Sequence, residues 1–380
     1  MSRHFFLLGT TPILARAELE GLVGRDLVSV TDRIAMVADL STDEAVEVFQ
    51  KSGGIVKVYE EVQELVLHTS EAVTDAIVAL LSQGPAKQQL ALVDFNAPAG
   101  FVVDMGELKH RLRAEANVAL RYREVERDGV PAALLLHHPE VKEMAVFFTE
   151  EGAFLGKLLA VQDIEAWTLR DREKPYAAPK KGMLPPKVAR MMVNLALSRC
   201  QTGTARPLLY DPFCGSGTVL LEALMLGADV IGSDLDQDSV TGTAENIAWI
   251  REQSPCEGTS TIFQSEVSAA KSSQLTRPVD AIVTEPFLGK PSPSASQLAG
   301  IFRGLEKMYL GAFANWKKLL KPKGVVVMVL PLAEMGNARF DFHDLIDKLS
   351  TKGYNLEVNP MVYSRPGATI QRQITVFRLQ

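Results

Sequence analysis

The residues with the clearest chemical capacity stand at three points of the chain. They are Asp211, in Asp211-Pro212-Phe213-Cys214-Gly215-Ser216-Gly217-Thr218; Asp234; and Glu285, in Glu285-Pro286-Phe287-Leu288-Gly289. Each acid follows a short apolar run of the kind that forms a buried parallel strand, so all three carboxylates are expected at strand ends. The Gly215-Ser216-Gly217 segment reads as a tight turn with close backbone approach, and Thr218 onward as a helix ending near Gly227. Strand, turn, helix N-terminus and an acid about 20 residues further on is the spacing of a nucleotide-binding unit, where that acid accepts both hydrogen bonds from a ribose diol.

Two ligand classes use this layout. A dinucleotide wants a third glycine so that bare backbone and a helix N-terminus can meet a pyrophosphate, but that position is Leu220, and Asp211 would repel phosphate. A carboxylate facing the turn favours a cation instead. S-adenosylmethionine carries both an ammonium and a sulfonium.

The elements that must position these groups follow from composition and periodicity. With 380 residues, 47% of them apolar and 23% charged, the chain is expected to be a soluble globular protein of two or three domains. No apolar run of about 18 residues and no signal peptide is evident, and a cytoplasmic location without membrane contact is the default expectation. Cys200, Cys214 and Cys256 lack metal-ligand spacing, so neither a disulfide frame nor a metal site is expected. Cys214 reads as a small buried thiol, with a nucleophilic role as the lesser alternative. A net charge of −6 confines any nucleic-acid contact to local patches.

In chain order, residues 1–165 read as an α+β region. Strands are expected at 3–9, within 28–40, and at 55–62, 91–95, 100–105, 132–137, 143–149 and 152–161. Helices are expected at 12–22, 43–50 and 70–81, and residues 107–127 read as helical and then extended. That last stretch interleaves Arg111, Arg113 and other cations with glutamates: a salt-bridged face first, a phosphate-contacting surface second. His137 and His138 read as turn or cap residues. Residues 166–185 read as an exposed, basic, proline-containing linker, and the seven cations from Arg170 to Arg190 suit a phosphodiester backbone or, equally, serve only to keep the segment solvated; Lys180, Lys181 and Lys187 are the candidate contacts. From Pro186 to 380, strand and helix alternate, closing on an antiparallel pair at 354–363 and 371–379; this argues a doubly wound, mostly parallel α/β sheet.

The string Asp211 to Thr218 closely resembles the cofactor loop of amino-methylating nucleic-acid methyltransferases, whose signature is D-P-F-C-G-(S/T)-G-T. The lead-in from Gly182 to Ala196 is similar to that of the THUMP-associated RNA methyltransferases (UPF0020-type), which modify the N2 amine of guanosine in tRNA. The resemblance is specific over residues 180–290; over 1–165 it is limited to the strand-helix opening and the α+β order. It implies a Rossmann-like class I methyltransferase sheet behind a ferredoxin-like and THUMP-like region, with S-adenosylmethionine as cofactor and RNA, foremost tRNA, as partner. Asp211, the backbone of Phe213, Gly215 and Gly217, and Asp234 would hold the cofactor, with Glu266 on the adenine amine and Val267 as an apolar wall. Glu285 and the Pro286 carbonyl would accept from the target amine. The family motif there is (D/N)-P-P-(Y/F); here Leu288 falls on the stacking aromatic, so either Phe287 stacks from a shifted loop or the platform is lost. A DNA or other amine methyltransferase, or a cofactor-binding homologue without catalysis, are the alternatives. Monomer and homodimer are equally open.

Overall fold

The computed structural model describes residues 2–66, 68–177, 182–201, 205–290, 292–336, 338–365 and 367–380. It divides into two units, Met1–Ala166 and Trp167–Gln380.

The first unit begins β1 (Arg3–Leu8), α1 (Pro12–Val23), β2 (Val28–Ser29), β3 (Ile34–Ala38), α2 (Thr42–Lys51) and β4 (Ile55–Leu65). Local chemistry sets these boundaries. Proline opens α1 and Gly24, at φ 60°, closes it, while Ser41 and Glu44 form a capping box at the start of α2. The strands run antiparallel in the order β4-β1-β3-β2, a ferredoxin-like sheet.

The unit continues α3 (Ser70–Leu81), β5 (Lys87–Phe95), α4 (Met105–Ala116), β6 (Ala119–Tyr122), α5 (Ala132–His137), β7 (Val141–Phe148) and β8 (Ala153–Val161). Strand β8 pairs with β4, so one sheet runs through the unit. Its core holds Phe5 stacked on Phe147 with ring centroids 3.9 Å apart.

Two expectations fail here. Residues 132–137 are helical: Pro131, at φ −53°, sets the first turn, and a short apolar run does not by itself distinguish a helix from a strand. Residues 100–105 contain no strand, because Asp104 caps α4 instead, accepting from Gly106 N at 2.7 Å and Glu107 N at 3.1 Å.

After α6 (Ile164–Arg172) and α7 (Pro186–Leu197), the second unit alternates regularly. It runs β9 (Leu208–Asp211), α8 (Thr218–Met225), β10 (Asp229–Asp234), α9 (Gln237–Gln253), β11 (Ser260–Gln264), β12 (Val279–Thr284), α10 (Ala295–Trp316) and β13 (Leu320–Met335). It closes with β14 (Ala338–Phe340), α11 (His343–Thr351), β15 (Tyr354–Leu356), β16 (Met361–Tyr363) and β17 (Ile370–Leu379). The sheet order is β11-β10-β9-β12-β13-β17-β15, parallel from β11 to β13, with β17 antiparallel to β13. This is the mostly parallel, Rossmann-like α/β sheet expected from the sequence. The expected strand at 354–363 is two strands, both antiparallel to β17; Pro360, which has no amide hydrogen for a ladder, lies between them. Helix α10 lays Phe302, Tyr309, Phe313 and Trp316 onto the sheet.

The basic segment after residue 165 departs most from expectation. Arg170, Lys174 and Arg190 are buried, and both arginines donate through Nε to Glu222 of α8, at 2.9 and 2.6 Å. Part of the expected linker is therefore a layer of the fold, drawn in because Glu222 is itself buried and needs cationic partners. The Arg170 guanidinium also lies 4.1 Å from the Trp167 ring centroid. Replacing Glu222 with alanine should lower the unfolding free energy by about 3–5 kcal/mol, since it removes the buried carboxylate to which both guanidiniums donate. Denaturant titration measures this, and a loss below about 1 kcal/mol would show that Glu222 does not hold the layer.

Candidate active site

Parallel pairing brings the functional strand ends to one edge. Asp211 ends β9, Asp234 ends β10, and Glu285 follows β12; in register, Gly232 pairs with Asp211 and Ile282 with Tyr210. The chain steps outward from β9 to β10 and β11, then returns to the other side of β9 as β12. That reversal beside β9 opens a crevice at the carboxyl ends of the strands.

Within the turn, Gly215 and Gly217 take positive φ, 53° and 77°. A Cβ on Gly217 would come within 2.9 Å of Thr243 Cγ2, so that residue must be bare. Gly217 N donates to Cys214 O at 2.6 Å, and Cys214 N donates to Ser233 O of β10 at 3.0 Å. The Cys214 thiol is buried and burial pushes its pKa far up, which leaves it a packing group rather than a nucleophile.

The carboxylates shape this turn from both sides. Asp211 Oδ1 accepts from Phe213 N at 3.1 Å and from the Thr284 hydroxyl at 2.6 Å, tying the turn to the end of β12. Asp234 Oδ2 accepts from Gly215 N at 2.9 Å, and its Oδ1 accepts from Asp236 N at 3.0 Å. Each oxygen of Asp234 thus already serves one backbone amide while keeping a further lone pair. Asp236 caps α9, accepting from Ser239.

Burial pushes the Asp211 carboxyl up to about 7, against the pull of Thr284 and Phe213 N, and the charges of Asp234 and Glu285 push it further. Burial likewise raises Glu285, which Arg372 and then Arg365 oppose. Arg372, on β17, donates from Nε to Glu285 Oε1. The spacing around Glu285 carries no sign of this partner, because it arrives from a strand more than eighty positions away.

Beyond Glu285, Pro286 is buried and Phe287 is 61% exposed, while its carbonyl accepts from the Tyr309 hydroxyl at 2.7 Å. The one aromatic of this motif therefore stands open beside the crevice. On the other flank Val267 packs into the core and Glu266 is exposed, accepting from Ser268 Oγ at 3.0 Å.

The nucleic-acid candidates are more scattered. Arg111 is committed to Glu115 at 2.8 Å and Asp75 at 2.5 Å, and Arg113 is exposed. Lys187 is half-buried with Nζ 5.8 Å from the Trp167 ring centroid, so it belongs to the cation layer on α7 rather than to open surface. Lys180 and Lys181 lie outside the described residues. His138 Nδ1 and His137 Nε2 each face a glutamate at 3.2 Å. Among the described residues no cluster of three metal-ligating side chains occurs, and no helix is long and apolar enough to cross a membrane.

Comparison with known proteins places this geometry in a family. Residues 175–335 match UPF0020, the RMKL-like methyltransferase domain. The tRNA (guanine(10)-N2)-dimethyltransferase of Methanothermobacter thermautotrophicus is 33% identical over 162 residues, 43% of this chain and 42% of that one. The probable tRNA (guanine(10)-N2)-dimethyltransferase of Methanothermococcus thermolithotrophicus is 36% identical over 122 residues, 31% of this chain and 70% of the relative. A third such enzyme, from Methanocaldococcus jannaschii, is 30% identical, and the chain covers 45% of it; the chain thus spans under half the length of the first and third of these relatives. TrmN from Thermus thermophilus shares the fold over 100% of each chain, with a TM-score of 0.52 at 18% identity. The chain therefore belongs to the UPF0020 RMKL-like methyltransferase family, whose methyl donor is S-adenosylmethionine.

Proposed function

We propose that the chain is an S-adenosylmethionine-dependent RNA methyltransferase acting on the exocyclic N2 amine of a guanosine in tRNA. The observation that carries this reading is the glycine turn set among Asp211, Asp234 and Glu285. The matched relatives, by their names tRNA (guanine(10)-N2)-dimethyltransferases, supply the target.

The residues present fit the donor. A crevice rimmed by three acids favours a cationic sulfonium and ammonium over a phosphate. Asp234 retains lone pairs for the ribose hydroxyls, and the Phe213, Gly215 and Gly217 backbone would line the amino-acid end. Glu266, exposed, would accept from the adenine amine, with Val267 as the wall. When bound, the donor supplies an electrophilic methyl group.

What the chain must then do is hold an amine in line and stabilise its developing positive charge. A base amine is a poor nucleophile because its lone pair is delocalised into the ring. Glu285, accepting from the amine hydrogens, favours the cationic nitrogen and takes up its proton. The Pro286 carbonyl would accept from the second hydrogen. Arg372 acts on Glu285 from behind: its guanidinium favours the ionised carboxylate against the pull of burial. Phe287 would stack on the base from the shifted position, which favours a working site over one that has lost its platform.

The domain reading that goes with this is a THUMP-like region at 1–165 that captures structured RNA, a connecting segment at 166–185, and the methyltransferase domain at 186–380. Of its candidate phosphate contacts, Arg113 is exposed, Arg111 is held by Glu115 and Asp75, Lys187 lies in the cation layer, and Lys180 and Lys181 lie outside the described residues, so Arg113 is the one proposed here.

Labelled S-adenosylmethionine incubated with separate RNA and DNA pools should place label in RNA alone, on N2-methylated guanosine. Label in DNA would support the alternative of a DNA methyltransferase. Glu285→Gln should lower single-turnover transfer about tenfold or more while leaving donor affinity within about twofold; a parallel loss of affinity would move Glu285 from the amine to the donor. Because Asp211 carries its proton below about pH 7 and is anionic above it, donor affinity should rise from pH 5.5 to 7.5, with a proton released on binding near neutrality. Asp211→Asn should flatten that rise, and an unchanged slope in the variant would refute the role.

A further inference from the structure

The geometry points to Lys174 as the cation that holds the α-carboxylate of the donor's methionine moiety. This rests on the proposed donor site and assigns a residue to its amino-acid end.

The observation is a buried ammonium in a place that disfavours one. Lys174 is 5% exposed, and its Nζ donates to Thr218 Oγ1 at 2.9 Å. Thr218 is the first residue of α8, directly after the glycine turn, and the Ser216 hydroxyl lies 3.4 Å from the same Oγ1. A helix N-terminus carries partial positive charge, so it attracts anions and repels an ammonium. Among the described residues Lys174 makes no ion pair. The buried carboxylate of this layer, Glu222, is occupied by Arg170 and Arg190, and Asp171 is exposed.

Lys174 is also fixed with respect to the turn rather than merely near it. Asn246 of α9 accepts from Tyr176 N at 2.8 Å and donates to Tyr176 O and to Ser216 O, each at 2.8 Å. One amide thus ties the segment after Lys174 to the middle of the glycine turn. The Tyr176 ring lies against Gly242, where a Cβ would come within 2.1 Å of it, so the segment is seated in a notch cut for it.

A buried cation, two hydroxyls and a helix N-terminus at one end of a turn make a site for a small anion. The opposite end of the same turn is rimmed by Asp211, Asp234 and Glu285. The turn is therefore electrically polarised, and a zwitterionic amino acid is the ligand chemistry that matches both ends. Burial lowers the Lys174 pKa, the charges of Asp171 and Glu222 oppose that shift, and an anion seated beside the ammonium would oppose it further.

The test compares two probes by calorimetry on the full chain: S-adenosylmethionine, and its decarboxylated analogue, which keeps the ammonium and sulfonium but lacks the carboxylate. Lys174→Met should weaken S-adenosylmethionine about tenfold or more while changing the analogue by less than about threefold, since only one probe can use the lost charge. Lys174→Arg should recover most of the difference. If Lys174→Met weakens both probes in parallel, Lys174 is a structural support for the turn; if it weakens neither, it makes no contact. Either result overturns the assignment while leaving the donor site standing. If the unaltered chain binds neither probe, the proposed function falls and this inference with it.

Discussion

The second unit depends on a buried carboxylate that the fold cannot neutralise. Asp211 lies at the end of a central strand, where removal from water raises the cost of its charge, and the charges of Asp234 and Glu285 raise that cost further. A hydroxyl and a backbone amide offset part of that cost. The same two bonds fix where the glycine turn leaves the strand. The electrostatic cost and the geometry of the turn therefore have one origin, and a cation seated in the crevice relieves the first without disturbing the second. A dinucleotide would do the reverse.

From this constraint the rest of the site follows by topology. Parallel neighbours place β10 and β12 on either side of β9, so Asp234 and Glu285 arrive at the same edge without any special loop. The Asp234 carboxylate then closes the turn from one side and Thr284 anchors Asp211 from the other. Behind the turn, α6 and α7 bring a layer of arginines onto Glu222. The unit thus gathers Asp211, Asp234 and Glu285 at the strand ends, the last of them paired with Arg372, and sets Arg170 and Arg190 about Glu222 on α8.

The parallel sheet, the glycine turn and the strand-end position of each acid were legible in the sequence, because each rests on local pattern: short apolar runs, two glycines, an acid at fixed spacing. What the sequence hid was long-range. Arg372 reaches Glu285 from β17, and no window around either residue shows it. The basic stretch at 170–190 looked solvated because its composition is polar, yet Glu222, on another helix, turns Arg170 and Arg190 inward. Residues 132–137 failed for a local reason, since an apolar run of six residues suits either a strand or a helix turn and only Pro131 decides.

The most direct test of the central claim is a competition between cationic and anionic ligands for the crevice. Isothermal titration at pH 7.5 should show S-adenosylmethionine binding with one site per chain, and no heat from NAD at a hundredfold greater concentration of about the same buffer composition. Saturable binding of NAD that excludes S-adenosylmethionine would contradict the account, because three acids around that turn would then not be selecting positive charge.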